Sequence, residues 1–110
     1  MPRIRTVKPG LWSDAKVASL TYEARLLLVG LISMADDEGR FIATIAAIRG
    51  YVFPHDRITD AHVRRLRDEI AHTKIITVYH ADGLELGAFP SWLRHQRINR
   101  PTPSVIPPPP

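Results

Sequence analysis

The strongest constraint on what this chain can fold into is a change of period near residue 75. Before it, apolar residues recur every three or four positions, as on a helix; after it they alternate, as on a strand. Two alternating runs, Ile75-Ile76-Thr77-Val78-Tyr79-His80 and Leu84-Glu85-Leu86-Gly87-Ala88-Phe89, flank Ala81-Asp82-Gly83. That pattern predicts a β-hairpin, because Asp-Gly tolerates the positive φ angles of a tight turn.

The helical half divides at its caps and breakers. Residues 21–35 predict a helix with Thr21 as N-cap and Ala24, Leu27, Leu28 and Leu31 at helical spacing. Leu26, Val29, Ile32 and Met34 fill its other sides, so it is apolar nearly all round and central; Asp36-Asp37-Glu38-Gly39 stops it. A shorter helical turn is expected at 14–18, with Trp12 packing nearby. Arg40-Phe41-Ile42-Ala43 reads as a short strand. Thr44 caps a second helix in which Ile45, Ile48 and Val52 share a face, and Pro54 ends it. A third helix spans 60–73. Thr59 fits its N-cap, Ile58 and Val63 its hydrophobic staple, and Val63, Leu66 and Ile70 its buried stripe.

Helix, short strand, helix, helix, hairpin is not a generic α+β order. It predicts a winged helix-turn-helix: an α+β domain of three main helices with a C-terminal β-hairpin. Ile76, Val78 and Leu86 are expected to close the core. The 110 residues suffice for one modest core. The expected organisation is a basic N-terminal arm at 1–13, the winged-helix domain at 14–93, and a basic, then proline-rich, tail or linker at 94–110. Six of the ten prolines lie in 101–110, which reads as an extended polyproline-II segment with no core of its own.

Charge placement says more than net charge. The formal +4 combines −2 over residues 9–93 with +6 in two flanks that carry no acid: Arg3, Arg5 and Lys8, then Arg94, Arg97 and Arg100. Arginine supplies twelve of the fifteen basic residues, and its planar fork suits phosphate and guanine. With no cysteine, disulfides and thiolate-held zinc or iron–sulfur sites are excluded. No apolar run reaches membrane-spanning length and the first residues lack a signal peptide's apolar stretch, so the expected setting is the cytoplasm, with no membrane partner.

Several segments resemble a family of phage and prophage proteins, common in viruses of actinobacteria, with an N-terminal winged-helix DNA-binding domain. They are Ile4-Arg5-Thr6-Val7-Lys8-Pro9 through Trp12-Ser13-Asp14, Met34-Ala35-Asp36-Asp37-Glu38-Gly39-Arg40, Phe53-Pro54, and His95-Gln96-Arg97-Ile98-Asn99-Arg100-Pro101-Thr102-Pro103-Ser104. Family members are similar to the N-terminal domains of DnaD-like phage replication initiators. The resemblance implies binding of double-stranded DNA, in replication initiation or transcription regulation, beside host or phage replication or transcription proteins.

In a helix-turn-helix the second helix of the pair enters the major groove. Here that helix offers Arg64 and Arg65, with His62, Arg67 and His72, as residues facing away from the apolar stripe. Arginine there can pair with guanine, while Asp68 and Glu69, four residues on, offer intrahelical ion pairs instead. Arg94, Arg97 and Arg100 can track phosphates, with Gln96 or Asn99 reading an adenine edge. Arg3 and Arg5, with Lys8, form an arm for the minor groove, or pair with Asp36-Asp37-Glu38. The hairpin tip, Asp82-Gly83, is negative and is expected to be structural. The aromatics Trp12, Phe41, Phe89 and Trp92 are assigned to packing rather than base stacking.

No catalytic site is expected. The five histidines lack paired metal-ligand spacing, the serines lack a nucleophile elbow, and no glycine-rich phosphate loop is present. Neither a metal nor a cofactor is implied. A homodimer would present two half-sites. The alternative class is a protein–protein interaction module built on a winged helix, its proline segment docking on an aromatic-lined groove; a structural role in a larger assembly, with 101–110 as linker, is the third.

Overall fold

The computed structural model describes residues 3–110; Met1 and Pro2, the start of the predicted arm, lie outside the described residues. A 3-10 turn at Pro9–Leu11 leads to α1 (Ala15–Ala18), α2 (Tyr22–Met34), β1 (Arg40–Ile42), α3 (Ile45–Val52), α4 (Asp60–His72), β2 (Thr77–Ala81), β3 (Leu84–Ala88) and α5 (Trp92–His95). The three threonine caps act as the sequence predicts, and Asp14 caps α1 as well. Asp14 accepts from the backbone N–H groups of Lys16 and Val17, and Thr21, Thr44 and Thr59 accept from those of Ala24, Ala47 and His62. Each such cap is worth about 1 kcal/mol, because it satisfies a donor with no partner inside the helix.

Helix α2 is central: Ala24, Leu27, Leu28, Leu31 and Ile32 are buried, and both α3 and α4 pack on it. Helix α4 contributes the expected Val63, Leu66 and Ile70. Seven residues, 53–59, join α3 to α4, with buried Phe53 anchoring them and the Arg49–Asp60 ion pair (2.8 Å) drawing the two helices together.

The hairpin closes through a two-residue turn in which Asp82 (φ 53°) and Gly83 (φ 74°) are both left-handed, the backbone of a type I′ turn. β1 joins it antiparallel to β3, giving the order β1-β3-β2, with Phe41 opposite Gly87 and Tyr79 opposite Leu86. Gly87 is required by that register: a Cβ there would overlap the Phe41 ring. The protein is thus a compact α+β domain with a small three-stranded antiparallel sheet.

Alternation gives the sheet two apolar faces. Phe41, with Val78 and neighbouring Ile76 and Phe89, packs on the main helical core. Leu86 was expected there too, but it lies on the opposite face, in a second cluster with Tyr79 and Ala88. The reason is the period of two, since Leu86 and Phe41's partner Gly87 are adjacent residues. Ile106 from the proline segment covers this outer cluster. Trp12 is also misplaced by the sequence: it is exposed, and Trp92 is the buried tryptophan.

Gly39, with φ 80°, ends the turn after α2 beside that tryptophan, and a Cβ there would lie 2.5 Å from Trp92 Cγ. Trp92 continues a row of rings, 5.4 Å from Phe89, which is 5.7 Å from Phe41. The packing role assigned to these three aromatics holds.

Candidate nucleic-acid interface

Two of the predicted arginines lie open on α4. Arg64 and Arg65 are exposed, and among the described residues neither forms an ion pair. The acids expected to neutralise them are used elsewhere. Asp68 pairs with Arg67 at 3.1 Å, and Glu69 accepts from the backbone N–H and hydroxyl of Thr21, at 2.6 and 3.1 Å. His62 is half-buried and turned towards Glu23, its Nε2 3.2 Å from Glu23 Oε2 without hydrogen-bond alignment. His72 is exposed at the far end of the helix.

Arg67 is not on the open face. Its side chain is 4% exposed; Nη1 donates to the Ala43 carbonyl at 2.8 Å and lies 3.2 Å from Glu85 Oε2. The guanidinium hydrogen bond holds the Glu85 carboxyl below the usual carboxylate range against the opposing effect of burial. Arg67 therefore joins α4 to the β1–α3 connection and the inner face of β3. The helical period contained this signal, since residue 67 stands four after Val63 and three before Ile70 and shares their stripe.

The N-terminal arm is docked rather than extended. Arg5 Nη1 donates to Asp37 Oδ1 at 2.9 Å and Nη2 to the Ala35 carbonyl at 2.8 Å, with the guanidinium 5.2 Å from the Trp92 ring. Arg3 lies 3.4 Å from Asp37 Oδ2 and donates to the carbonyls of Asn99 and Arg100. Lys8 Nζ donates to the Arg94 carbonyl. This is the ion-pair alternative for the arm. Its cause is electrostatic: carboxylates just past the C-terminus of α2 oppose the helix dipole, and the arginines compensate. Asp37 itself is buried, and its carboxyl is held below its ordinary value, first by the Thr102 N–H and then by Arg5 and Arg3, against desolvation.

Gln96 cannot read a base edge in this arrangement. It is buried, Oε1 accepting from the Thr6 N–H and hydroxyl and Nε2 donating to the Thr6 carbonyl at 2.8 Å. A glutamine clamped on both sides of its amide fixes the arm against the C-terminal segment. Around it Arg94, Arg97, Asn99 and Arg100 are exposed, and among the described residues the three arginines form no ion pair.

Folding also gathers a cationic cluster that sequence order hides. A groove of about 530 Å³ between the 3-10 turn, α1 and α5 is lined by Lys8, Lys16, Lys74 and Arg94, over an apolar floor that includes Val17, Leu28 and Ile32. Lys74 stands at φ 69°, in the left-handed region that usually favours glycine. The Asp14 carboxylate on the same wall is taken up by the α1 cap.

The proline segment is held as well. The Thr102 N–H donates to Asp37 at 2.8 Å and the Ser104 N–H to Glu38, while the Ser104 hydroxyl donates to Asp36. Arg40 Nη1 donates to the Ile106 carbonyl at 2.8 Å, and the Tyr79 hydroxyl to that of Pro107 at 2.6 Å. Burial raises the Tyr79 phenol above its ordinary value. Residues 101–107 are therefore neither a free tail nor a free linker.

Among the described residues no cluster of three or more His, Cys, Asp or Glu side chains is placed to hold a metal ion, and no helix is long and apolar enough to cross a membrane. Compared with known protein families, curated proteins and solved structures, the chain matches none.

Proposed function

We propose that the chain is a winged helix-turn-helix domain that binds double-stranded DNA sequence-specifically, without catalysis, in a phage or prophage setting within the bacterial cytoplasm. Replication initiation and transcription regulation are the two roles this reading serves. The fold supports it through the α3–α4 pair followed by a hairpin whose inner strand β3 takes β1 as its second neighbour. The observation that carries it is the state of the arginines. Arg64 and Arg65 on the second helix of the pair, and Arg94, Arg97 and Arg100 in the C-terminal segment, are exposed without ion-pair partners among the described residues.

In this reading the arginines divide the work by position. Arg64 and Arg65 read guanine edges or grip phosphates beside them; Arg94, Arg97 and Arg100 track the backbone, with Asn99 at hand for a base edge. Arg3, Arg5 and Gln96 hold the two termini together, and Arg67 holds the domain. The negative hairpin tip contributes no phosphate grip.

Five phosphate-neutralising arginines predict a log–log salt slope of about −4 to −5 for duplex DNA. Replacing Arg94, Arg97 and Arg100 with Ala is expected to flatten that slope by about 3. Replacing Arg64 and Arg65 should also relax the preference among sequences selected from a random duplex pool. Fluorescence anisotropy across a salt series reads both effects. Absence of binding to any duplex at low salt, or slopes unchanged in both variants, overturns the proposal.

A second reading, a protein–protein interaction module on the same fold, is favoured by one observation: the domain already holds a proline-rich segment through its side chains.

A further inference from the structure

The contacts to residues 101–107 have the form of peptide recognition. Four side chains of the domain bind the segment's main chain. Asp37 and Glu38 take the N–H groups of Thr102 and Ser104, and Arg40 and Tyr79 give to the carbonyls of Ile106 and Pro107. Donors and acceptors are thus matched to a segment that bends at Val105 and Ile106, where the Ile106 N–H donates to the Ser104 hydroxyl at 3.0 Å, and whose proline residues offer carbonyls but no N–H. Two side chains add specificity: the Ser104 hydroxyl meets Asp36, and Ile106 packs on the cluster of Tyr79, Leu86 and Ala88.

The segment is also separable from the fold. Residues 101–110 contain no helix or strand and contribute nothing to the main core cluster. No backbone ladder joins the segment to the sheet; side chains hold it, and Ile106 is its apolar anchor. The site itself is built by residues whose places are fixed independently. Asp36 accepts from the N–H groups of Glu38 and Arg40 to shape the turn, Arg40 is in β1, and Tyr79 is in β2.

We propose that the turn at 36–38, Arg40 and the outer face of the sheet form a recognition groove for proline-rich segments of the pattern Pro-Ser-x-Ile-Pro. Residues 103–107 fill it in cis, and such a segment of a partner protein fills it in trans. The groove reads mostly backbone, so the partner must be able to bend as residues 104–106 do and must carry the hydroxyl and the aliphatic anchor three and one residues before the final proline. A tethered segment competes at an effective concentration of about 1 mM. An isolated peptide with a dissociation constant of about 100 µM would therefore bind the wild-type chain roughly ten-fold more weakly than a chain whose own segment is disabled.

The test uses full-length chains and a fluorescent peptide with the sequence of residues 101–110. Ile106→Asp in the chain removes the cis anchor; Ser104→Pro is a second variant that removes the N–H and the hydroxyl at that position, and with the hydroxyl the bond that closes the bend. Both are expected to keep the wild-type circular dichroism and to bind the peptide saturably, about ten-fold more tightly than the wild type. A peptide carrying Ile106→Asp should not bind, and Asp36→Asn or Tyr79→Phe added to the chain should weaken binding. Failure of both folded variants to bind the peptide, or equal binding of the Ile106→Asp peptide, overturns the proposal. Dimers of the wild-type chain that Ile106→Asp abolishes would overturn a separate partner in favour of tail exchange between copies. None of these outcomes depends on DNA binding.

Discussion

Arg67→Met is expected to destabilise the domain by about 3 kcal/mol, while Arg65→Ala changes stability by no more than about 0.5 kcal/mol. The two residues are two positions apart on one helix and differ in where the helix turns them. Methionine preserves much of the volume at position 67, so the loss is polar: the Ala43 carbonyl loses its side-chain donor and Glu85 its guanidinium. Urea unfolding followed by circular dichroism gives the comparison. With a slope of about 1–2 kcal/mol/M, the Arg67→Met midpoint should fall by roughly 2 M. DNA binding by the folded fraction should keep the wild-type salt slope, because Arg67 reaches no phosphate. A midpoint shift no larger than that of Arg65→Ala would show that the buried contacts are not what holds α4 to the sheet.

Asp37→Asn is expected to cost about 3–4 kcal/mol at pH 7, since it leaves the buried Arg5 guanidinium without its counter-charge. The same carboxylate takes the Thr102 N–H and attracts Arg3, so both termini loosen together. The effect depends on pH in a definite direction. The Asp37 carboxyl lies below its ordinary value of 3.8 in the folded chain. Its stabilising contribution is therefore complete above that value and is lost as pH falls through the lowered folded value. Wild type and Asp37→Asn should differ widely at pH 7 and converge below pH 3.8. Equal midpoint differences at pH 7 and pH 3 would rule out the charge as the source. The Glu85 carboxyl, also lowered, adds acid sensitivity of the same sign.

Most elements were legible because their signals are local. The threonine caps, the Ile58–Val63 staple and the Asp-Gly turn each act within a few residues, and the helices and hairpin formed where those signals stand. The candidate site was legible only in part. Arg64, Arg65, Arg94, Arg97, Asn99 and Arg100 are exposed as expected, whereas Arg67, Arg5 and Gln96 are enclosed by the fold. For Arg67 the spacing to Val63 and Ile70 was an available signal. For Gln96 and Thr6, ninety residues apart, no local pattern exists.

By itself, the sequence determined the element order, the caps, the central helix and the pair of basic flanks around a slightly acidic middle. Those follow from periodicity and from charges counted along the chain. Only the tertiary structure decided which charges remain available. It turns the 36–38 carboxylates, unfavourable at the end of α2, into the point where the N-terminal arginines and the proline segment both dock. The physical reason is that burial and pairing depend on partners distant in sequence. A charge's sign is fixed by its residue, but its accessibility is fixed by what folds against it.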